Sequence, residues 1–283
     1  MMKTTSCDKK LLLHFLRDVA MQEKILKRVQ VNMPFHSLYR QYLPMVVEKG
    51  INPEICFSHD DIENFMVQDY VRVAEVLLDH GLTVTFHAPF MDLRPGAVDQ
   101  KIRQASIERL MQVFDIAPFF RPSCIVCHPS FDDRYYVSTE EAWVENSLDT
   151  WGKFITLAEE MDTTIALENV YEKTPHQLCR LFRGLDAANL IFCFDAGHFN
   201  AFSNRSFEQW MEELGPFLGQ LHLHDNRGVA DEHLPVGDGN FPFARLFSTI
   251  EEMKVRPIIT LEPHTEENFW KTLKNLETIG LPA

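Results

Sequence analysis

Six consecutive apolar segments of this sequence end in a histidine, an aspartate or a glutamate. In chain order, the residues at these ends are His87, His128, Glu168, Asp195, His222 and Glu262. Imidazole nitrogens and carboxylate oxygens are the ligands that suit zinc, manganese and related ions. One such residue alone is usually a solvated loop side chain, but that explanation does not account for six such residues at the ends of six consecutive segments. Because three carboxylates in one place repel one another unless cations or protons neutralise them, the pattern predicts a metal site.

More donors of the same types stand in the loops that follow these segments. His198 lies three residues after Asp195. Further along, Asp231 and His233 bracket a single residue, and side chains two apart in an extended segment face the same way. Gly237, a few residues later, would allow this loop to turn sharply. Taken alone, Asp231 and His233 fit an ordinary polar loop equally well, so their inclusion in the site depends on the other donors.

Candidate substrate contacts lie beside these candidate ligands. His224 is two residues from His222 and is interpreted equally well as a ligand, a substrate contact or a hydrogen-bonded interior histidine. Arg227 and Arg94 each offer a guanidinium that can clamp a phosphate or carboxylate through two hydrogen bonds, although a solvated loop arginine is the commoner case. Phe90 is a candidate for the wall of a substrate pocket.

The segments that end in these donors belong to a regular alternation along the chain. Eight short apolar segments predict strands: Arg28–Met33, Glu54–Ser58, Thr83–His87, Cys124–His128, Thr164–Glu168, Leu190–Asp195, Gln220–His224 and Pro257–Glu262. Amphipathic stretches between them predict helices, among them Ile62–His80, Asp99–Phe119, Glu140–Met161, Pro175–Gly184, Ser206–Leu214 and Phe243–Met253. Apolar strands separated by helices are typical of a covered parallel sheet. Eight such units predict an α/β fold, a single (β/α)8 TIM barrel whose eight parallel strands converge on one mouth.

Length and composition fit a single domain over residues 1–283. A chain of 283 residues with 45% hydrophobic residues suits one barrel, with residues 1–26 as an N-terminal capping helix or extension. No apolar run reaches the roughly 18 residues that a membrane span needs, and the first residues do not fit a signal peptide. No Gly-x-Gly-x-x-Gly follows an early strand, which disfavours dinucleotide binding. The oligomeric state stays open.

The net charge and the cysteine spacing indicate which binding partners and which cellular compartment to expect. The formal net charge of −14 argues against broad nucleic-acid binding, because duplex affinity depends on neutralising phosphates. A local basic rim or bound metal ions can nevertheless make the electrostatic potential positive at a binding site. The six cysteines show no disulfide-framework spacing, which predicts a reduced, cytoplasmic protein. Residues 124–128 match the Cys-x-x-Cys-His pattern of haem attachment, but their apolar character predicts a buried strand instead.

The donor-bearing segments resemble those of a known superfamily. They read HAPF at 87–90, CHP at 127–129, LEN at 167–169, FDAGH at 194–198, LHLHD at 221–225, DEHLPVGDGN at 231–240 and LEP at 261–263. This set is similar to the xylose isomerase-like superfamily, which contains sugar isomerases and epimerases and endonuclease IV, the second family of AP endonucleases. The resemblance runs from about the third predicted strand to the eighth and implies a TIM barrel with bound divalent metal.

The two branches of this superfamily differ in how many ions they hold. By resemblance to endonuclease IV, three zinc ions would be held by nine residues: His87, His128, Glu168, Asp195, His198, His222, Asp231, His233 and Glu262. By resemblance to the sugar isomerases and epimerases, a single manganese, magnesium, zinc or cobalt ion would use Glu168, Asp195, His222 and Glu262. The resemblance therefore implies one to three ions and leaves the reaction open.

We expect a sugar or sugar-phosphate isomerase or epimerase first, because ENVYEKTP at 168–175 and HAPFMDLRPG at 87–96 resemble that branch. Glu168 and Glu262 would then move a proton through an enediolate that the metal stabilises. The alternative is a zinc phosphodiesterase acting on abasic DNA or a small phosphoester. The complete set of nine donors favours it, whereas the missing Gly-rich stretch after Glu168 counts against it. Phe90 and Met91 would then stand in for a DNA-intruding pair. A barrel that keeps the metal site only for binding or regulation is a third possibility.

Overall fold

The computed structural model describes residues 21–282, whose eight parallel strands close into a barrel in sequential order. The strands are β1 Gln30–Pro34, β2 Asn52–Cys56, β3 Thr85–His87, β4 Cys124–Cys127, β5 Thr164–Glu168, β6 Leu190–Asp195, β7 Leu218–Leu223 and β8 Ile258–Leu261. Each predicted strand boundary lies within two residues of the observed one. The predicted (β/α)8 barrel is therefore confirmed. Residues 21–26 are helical, and the rest of the predicted capping segment lies outside the described residues.

Helices cover the outside of the barrel. They are α1 Phe35–Ser37, α2 Leu43–Lys49, α3 His59–Asn64, α4 Val67–Asp79, α5 Gln100–Phe120, α6 Asp133–Tyr136, α7 Glu140–Glu160, α8 His176–Leu185, α9 Ala196–Phe202, α10 Phe207–Leu214, α11 Phe243–Met253 and α12 Glu266–Ile279. A π-helix, Leu38–Tyr42, joins α1 to α2, and a 3-10 turn, Gly215–Phe217, follows α10. The helix predicted over Ile62–His80 is divided into α3 and α4, because Phe65 is extended and Asp69 accepts the Met66 N–H at the start of α4.

Side chains alternate between the barrel interior and the helical layer along each strand. Large apolar side chains such as Phe86 and Leu167 face the helices and belong to the main core. The small side chains Cys124, Val126, Ala166 and Cys193 pack together on the opposite face, inside the barrel. Above this layer of small residues, the inward-facing positions of the same strands can carry polar side chains nearer the mouth.

The haem-attachment pattern lies inside the protein. Cys124 and Cys127 are fully buried in β4, as the apolar run predicts, and both are free thiols. Burial raises the pKa of the Cys127 thiol far above its ordinary value, so this thiol is held protonated. Within residues 21–282, no helix is both long enough and apolar enough to cross a membrane.

Candidate metal centre

The inner part of the site is built around His222 at the end of β7. Its Nδ1 lies 3.1 Å from Oε1 of Glu262, 3.4 Å from Oε2 of Glu168 and 3.8 Å from Oδ2 of Asp195. Two donors bound to one ion in a tetrahedral site with bonds of about 2.1 Å lie about 3.4 Å apart. Each of these three carboxylates, from β5, β6 and the end of β8, therefore lies at or near the distance from His222 that two ligands of one ion would have.

Two more histidines approach Glu168 from the neighbouring strands. Nε2 of His87 lies 3.3 Å from Oε2 of Glu168, and Nε2 of His128 lies 3.2 Å from the same oxygen. One nitrogen of each histidine and one oxygen of the glutamate lie within 4.8 Å of one another. Two groups of donors therefore meet at Glu168. The inner group consists of Glu168, Asp195, His222 and Glu262, and the second consists of Glu168, His87 and His128, so Glu168 could be a ligand shared by both.

The loop donors complete the cluster on the other side. Nε2 of His198 lies 3.3 Å from Oδ2 of Asp231, and Nε2 of His233 lies 3.2 Å from that oxygen. His198 also lies 3.0 Å from Glu168, through its Nδ1. The structure therefore brings all nine predicted metal-binding residues into one continuous cluster at the barrel mouth.

Asp225 folds the loop that carries Asp231 and His233 back over the mouth. This buried carboxylate follows β7 and accepts the backbone N–H groups of Gly237 and Gly239 at 3.1 and 2.8 Å. A Cβ on Gly239 would lie 2.2 Å from the carbonyl oxygen of Asn226, so only glycine fits there. His233 itself has φ +49°, a conformation that is costly for a non-glycine residue and that the surrounding contacts must maintain.

Backbone carbonyls hold three of the histidines in one tautomer. The bonds are His87 Nδ1 to the Ala88 oxygen (2.9 Å), His198 Nδ1 to the Asn169 oxygen (3.0 Å) and His233 Nδ1 to the Glu262 oxygen (3.1 Å). A carbonyl oxygen only accepts, so Nδ1 must be the donor in each case, and Nε2 is the nitrogen with a free lone pair when the ring is neutral. Each Nε2 faces the cluster, which is the arrangement found around metal-ligating histidines.

Several buried polar atoms of the cluster have no hydrogen-bond partner. They are Nε2 of His128, Oε2 of Glu168, Nδ1 of His222, Nδ1 of His224 and Oδ1 of Asp231. An unsatisfied buried polar group costs about 1–3 kcal/mol, so a set of five is expensive unless something occupies the space between them. Lone pairs of this kind are what a divalent cation binds, and each of these atoms belongs to a residue in a group close enough to hold one, so the donor set fits such ions.

The cluster contains carboxyls whose pKa values are lowered and histidines such as His233 whose pKa values are raised. Burial alone would raise the pKa of Glu168, but His222 and His128 hold it well below its ordinary value. Burial likewise opposes ionisation of Glu262, whose pKa His222 lowers. Burial lowers the pKa of His233, but its hydrogen bond with Asp231 raises that pKa to about 9. A bound ion would replace these imidazole protons, because only the neutral ring can be a ligand.

A pocket of about 570 Å³ opens over the cluster, a size that suits a small molecule. His128 and Glu168 lie at its base, and Phe90 forms part of its wall, with its ring 4.5 Å from that of His128. Exposed Met91, Tyr135 and Tyr171 extend this apolar rim.

Two of the predicted substrate contacts, His224 and Arg227, lie outside this lining. His224 is buried within the cluster, where its Nε2 lies 3.1 Å from Oδ1 of Asp195 and its Nδ1 lies 3.5 Å from Oδ1 of Asp231. Arg227 is exposed and pairs with Glu232. Phe90 and Arg94 are therefore the two of the four predicted substrate contacts that line the pocket, whereas His224 lies beside candidate metal ligands.

Two residues of the site were not predicted from the sequence. Glu54, in β2, is completely buried beneath His222. His264 lines the pocket, and its ring stacks on that of His233 with 3.9 Å between centroids. The available signals were a carboxylate inside an apolar strand and a second donor two residues after Glu262.

A family model described as xylose isomerase-like TIM barrel matches residues 53–279, which is most of the chain. The chain belongs to this family. Among its relatives, the uncharacterized protein MJ1311 of Methanocaldococcus jannaschii is 28% identical over 186 residues, covering 63% of this chain and 64% of the relative. The chain thus spans just under two thirds of that relative's length. A second uncharacterized protein of the same organism, MJ1614, is 24% identical over 211 residues, covering 72% of this chain and 80% of the relative.

Solved structures agree in fold. A D-tagatose 3-epimerase-like protein superposes with a TM-score of 0.74 at 21% identity, covering 89% of this chain and 96% of its own. The TTHB071 protein of Thermus thermophilus, soaked with zinc chloride, superposes with a TM-score of 0.72 at 23% identity, covering 89% and 98%. At these identities the likeness establishes the barrel and leaves the reaction to be argued from the site.

Proposed function

We propose that this chain is a divalent-metal-dependent isomerase or epimerase of a sugar or sugar phosphate. The observation that carries the proposal is that three carboxylates lie within 3.8 Å of Nδ1 of His222, beneath a pocket of small-molecule size. The ion, zinc, manganese, magnesium or cobalt, would be held by Glu168, Asp195, His222 and Glu262. When bound, it would polarise adjacent substrate oxygens and acidify the C–H bond between them.

Glu168 and Glu262 are the proposed proton-transfer groups. Both line the pocket, and they come from different sides of the barrel, at the ends of β5 and β8. The neighbouring histidines lower the pKa of both carboxyls, and a bound cation would likewise favour their ionised, proton-accepting forms. One would remove the proton and the other would return it on the opposite face, which is the division of roles that epimerisation requires.

Arg94 supports a phosphorylated substrate. It lines the pocket, with its guanidinium 4.0 Å from the centre of the Tyr135 ring. Arg134, which also lines the pocket, is already bound to both carboxylate oxygens of Asp132. Within residues 21–282, Arg94 forms no ion pair with a carboxylate. A guanidinium placed over an aromatic ring in the pocket lining suits a phosphate group of the substrate.

Solvent-hydrogen exchange tests the reaction directly. Wild-type protein loaded with manganese or cobalt is incubated with a panel of ketoses, aldoses and their phosphates in D2O, and deuterium at carbon is measured by NMR. We expect exchange with at least one substrate, and its loss in Glu262→Gln. Glu267→Gln, an exposed residue in the first turn of α12, is the matched control and should exchange normally. Full exchange in Glu262→Gln would reject the assigned role of Glu262.

A second candidate is hydrolysis of a small phosphoester. The outer donors favour it, because His87, His128, His198, Asp231 and His233 join the inner four in one cluster. Several ions held together would supply a hydroxide nucleophile and stabilise the leaving oxygen. One ion per chain would exclude this reaction. Three ions, together with hydrolysis of bis(p-nitrophenyl) phosphate and no carbon-bound deuterium, would replace the isomerase proposal by it.

A further inference from the structure

The side chain of Glu54 lies in the barrel interior directly beneath the candidate metal centre. It is fully buried, and its two carboxylate oxygens are surrounded by hydrogen-bond donors. Oε2 accepts from Gln220 Nε2 (2.7 Å), Thr85 Oγ1 (3.0 Å) and Thr260 Oγ1 (3.0 Å), while Oε1 accepts from Asn32 Nδ2 (3.0 Å) and lies 3.1 Å from His222 Nε2. Strands β1, β3, β7 and β8 therefore all contribute donors to this one carboxylate.

His222 differs from the other histidines of the cluster in what holds its far nitrogen. His87, His198 and His233 each donate Nδ1–H to a backbone carbonyl. His222 faces the centre with Nδ1 and places Nε2 against Glu54 instead. A carboxylate is a stronger acceptor than a carbonyl, and it makes the imidazole to which it is bound a better electron donor.

We infer that Glu54 is a positioning residue for the metal centre: it accepts Nε2–H of His222 and keeps Nδ1 unprotonated toward the ion. This inference rests on the proposed function, since it requires that His222 bind metal. Glu54 lies one layer below the ligands and does not line the space between Glu168, Asp195 and Glu262. Its effect on the ion is therefore transmitted through the orientation, tautomer and basicity of the His222 ring.

A purely structural role explains the choice of glutamate less well. Ionised carboxylates are costly to bury, whereas a glutamine at position 54 could make most of the same bonds. The Thr85 and Thr260 hydroxyls can accept as well as donate, and Gln220 has an unpartnered Oε1 that could turn toward a new amide. The charge of Glu54 is the property that glutamine would not replace, and the buried group facing that charge is His222.

The test compares Glu54→Gln with a matched control, Thr85→Val. Both substitutions nearly preserve shape and remove something from the same hydrogen-bond network, but only the first alters the group that contacts His222. Each protein is stripped with a chelator, and the zinc and manganese dissociation constants are measured by competition with a chromophoric chelator. Thermal midpoints of the metal-free proteins report folding. Long-range 1H–15N spectra of histidine-labelled protein report the tautomer of His222.

We expect metal affinity to fall about tenfold or more in Glu54→Gln, within the range seen when an outer-shell partner is lost. Thr85→Val should bind within about twofold of wild type, and the metal-free Glu54→Gln should melt no lower than Thr85→Val. The wild-type spectrum should show His222 protonated at Nε2. If the wild type binds metal and Glu54→Gln binds it equally tightly, the inference is wrong and the proposed function stands. If the wild type binds neither zinc nor manganese, the inference is wrong, and the proposed function is wrong as well if cobalt and magnesium also fail to bind.

Discussion

Gly197, the second residue of α9, is the position where a single methyl group should disturb the metal centre most selectively. A Cβ built on it would lie 2.0 Å from Cε1, 2.3 Å from Nδ1 and 2.6 Å from Nε2 of the His224 ring, whereas ordinary contacts begin at 3.4 Å. In Gly197→Ala the ring must therefore move by about 1.4 Å or more. Because Nε2 of this ring lies only 3.1 and 3.2 Å from the two oxygens of Asp195, that displacement breaks both contacts.

Two costs follow from this displacement. Overpacking a filled interior typically costs about 1–3 kcal/mol, and losing a hydrogen bond to a charged group costs about 1.5–3 kcal/mol. Since the ring gains some freedom as it moves, we expect the metal-free Gly197→Ala protein to lose about 3 kcal/mol of unfolding free energy. At about 2–4 °C for each kcal/mol, its thermal midpoint should fall by about 6–12 °C. Zinc affinity should also fall about tenfold, because Asp195 loses a group that orients it.

Gly152 in α7 provides the matched control. Its added Cβ would meet only Leu185 Cδ2, at 3.9 Å, which is an ordinary contact. Gly152→Ala should therefore stabilise the protein by about 0.5–1 kcal/mol through helix propensity and leave zinc binding unchanged. Thermal denaturation and chelator competition on both variants decide the matter. A Gly197→Ala protein with wild-type stability and affinity would refute the placement of His224 against Asp195.

Two further predictions concern single side chains around the mouth. Burial raises the pKa of Glu172 to about 7, so the folded metal-free chain holds a proton that the unfolded chain releases above about pH 4.5. The free energy of unfolding should therefore fall as pH rises from about 4.5 to 7. In urea titrations, Glu172→Gln should be as stable as wild type near pH 4.5 and more stable than wild type at pH 8, by up to about 3 kcal/mol. Arg94→Gln should raise KM about tenfold or more for a phosphorylated substrate, and little for its unphosphorylated counterpart; equal effects on both would refute the phosphate assignment.

The strand ends were predictable because two independent signals coincide there. An apolar run ends, and a donor follows it, so β5 and β6 were predicted with the observed bounds and Glu168 and Asp195 were placed at the mouth. In a parallel barrel, topology alone then brings such residues together. The division between α3 and α4 was missed because the hydrophobic period continues across Phe65, while the Asp69 cap that restarts the helix is a local hydrogen bond.

The second layer of the site depends on tertiary contacts that no local pattern contains. Glu54 contacts His222 across 168 positions of sequence, and as the first residue of a predicted strand it looked like a boundary residue. The three interpretations of His224 as a ligand, a substrate contact or an interior histidine are equivalent in sequence, because its contacts with Gly197 and Asp195 are tertiary. The positive φ of His233 likewise depends on the loop that Asp225 holds in place by accepting backbone N–H groups.

Metal content is the measurement that tests the central claim most directly. Untagged protein is stripped with a chelator, incubated with zinc, manganese or cobalt, desalted and analysed by inductively coupled plasma mass spectrometry. We expect at least one ion of one of these metals to remain bound per chain, and Asp195→Asn to lose the ion held by the inner group. A wild-type chain that folds normally and retains none of the three metals would contradict a metal centre at the mouth of this barrel.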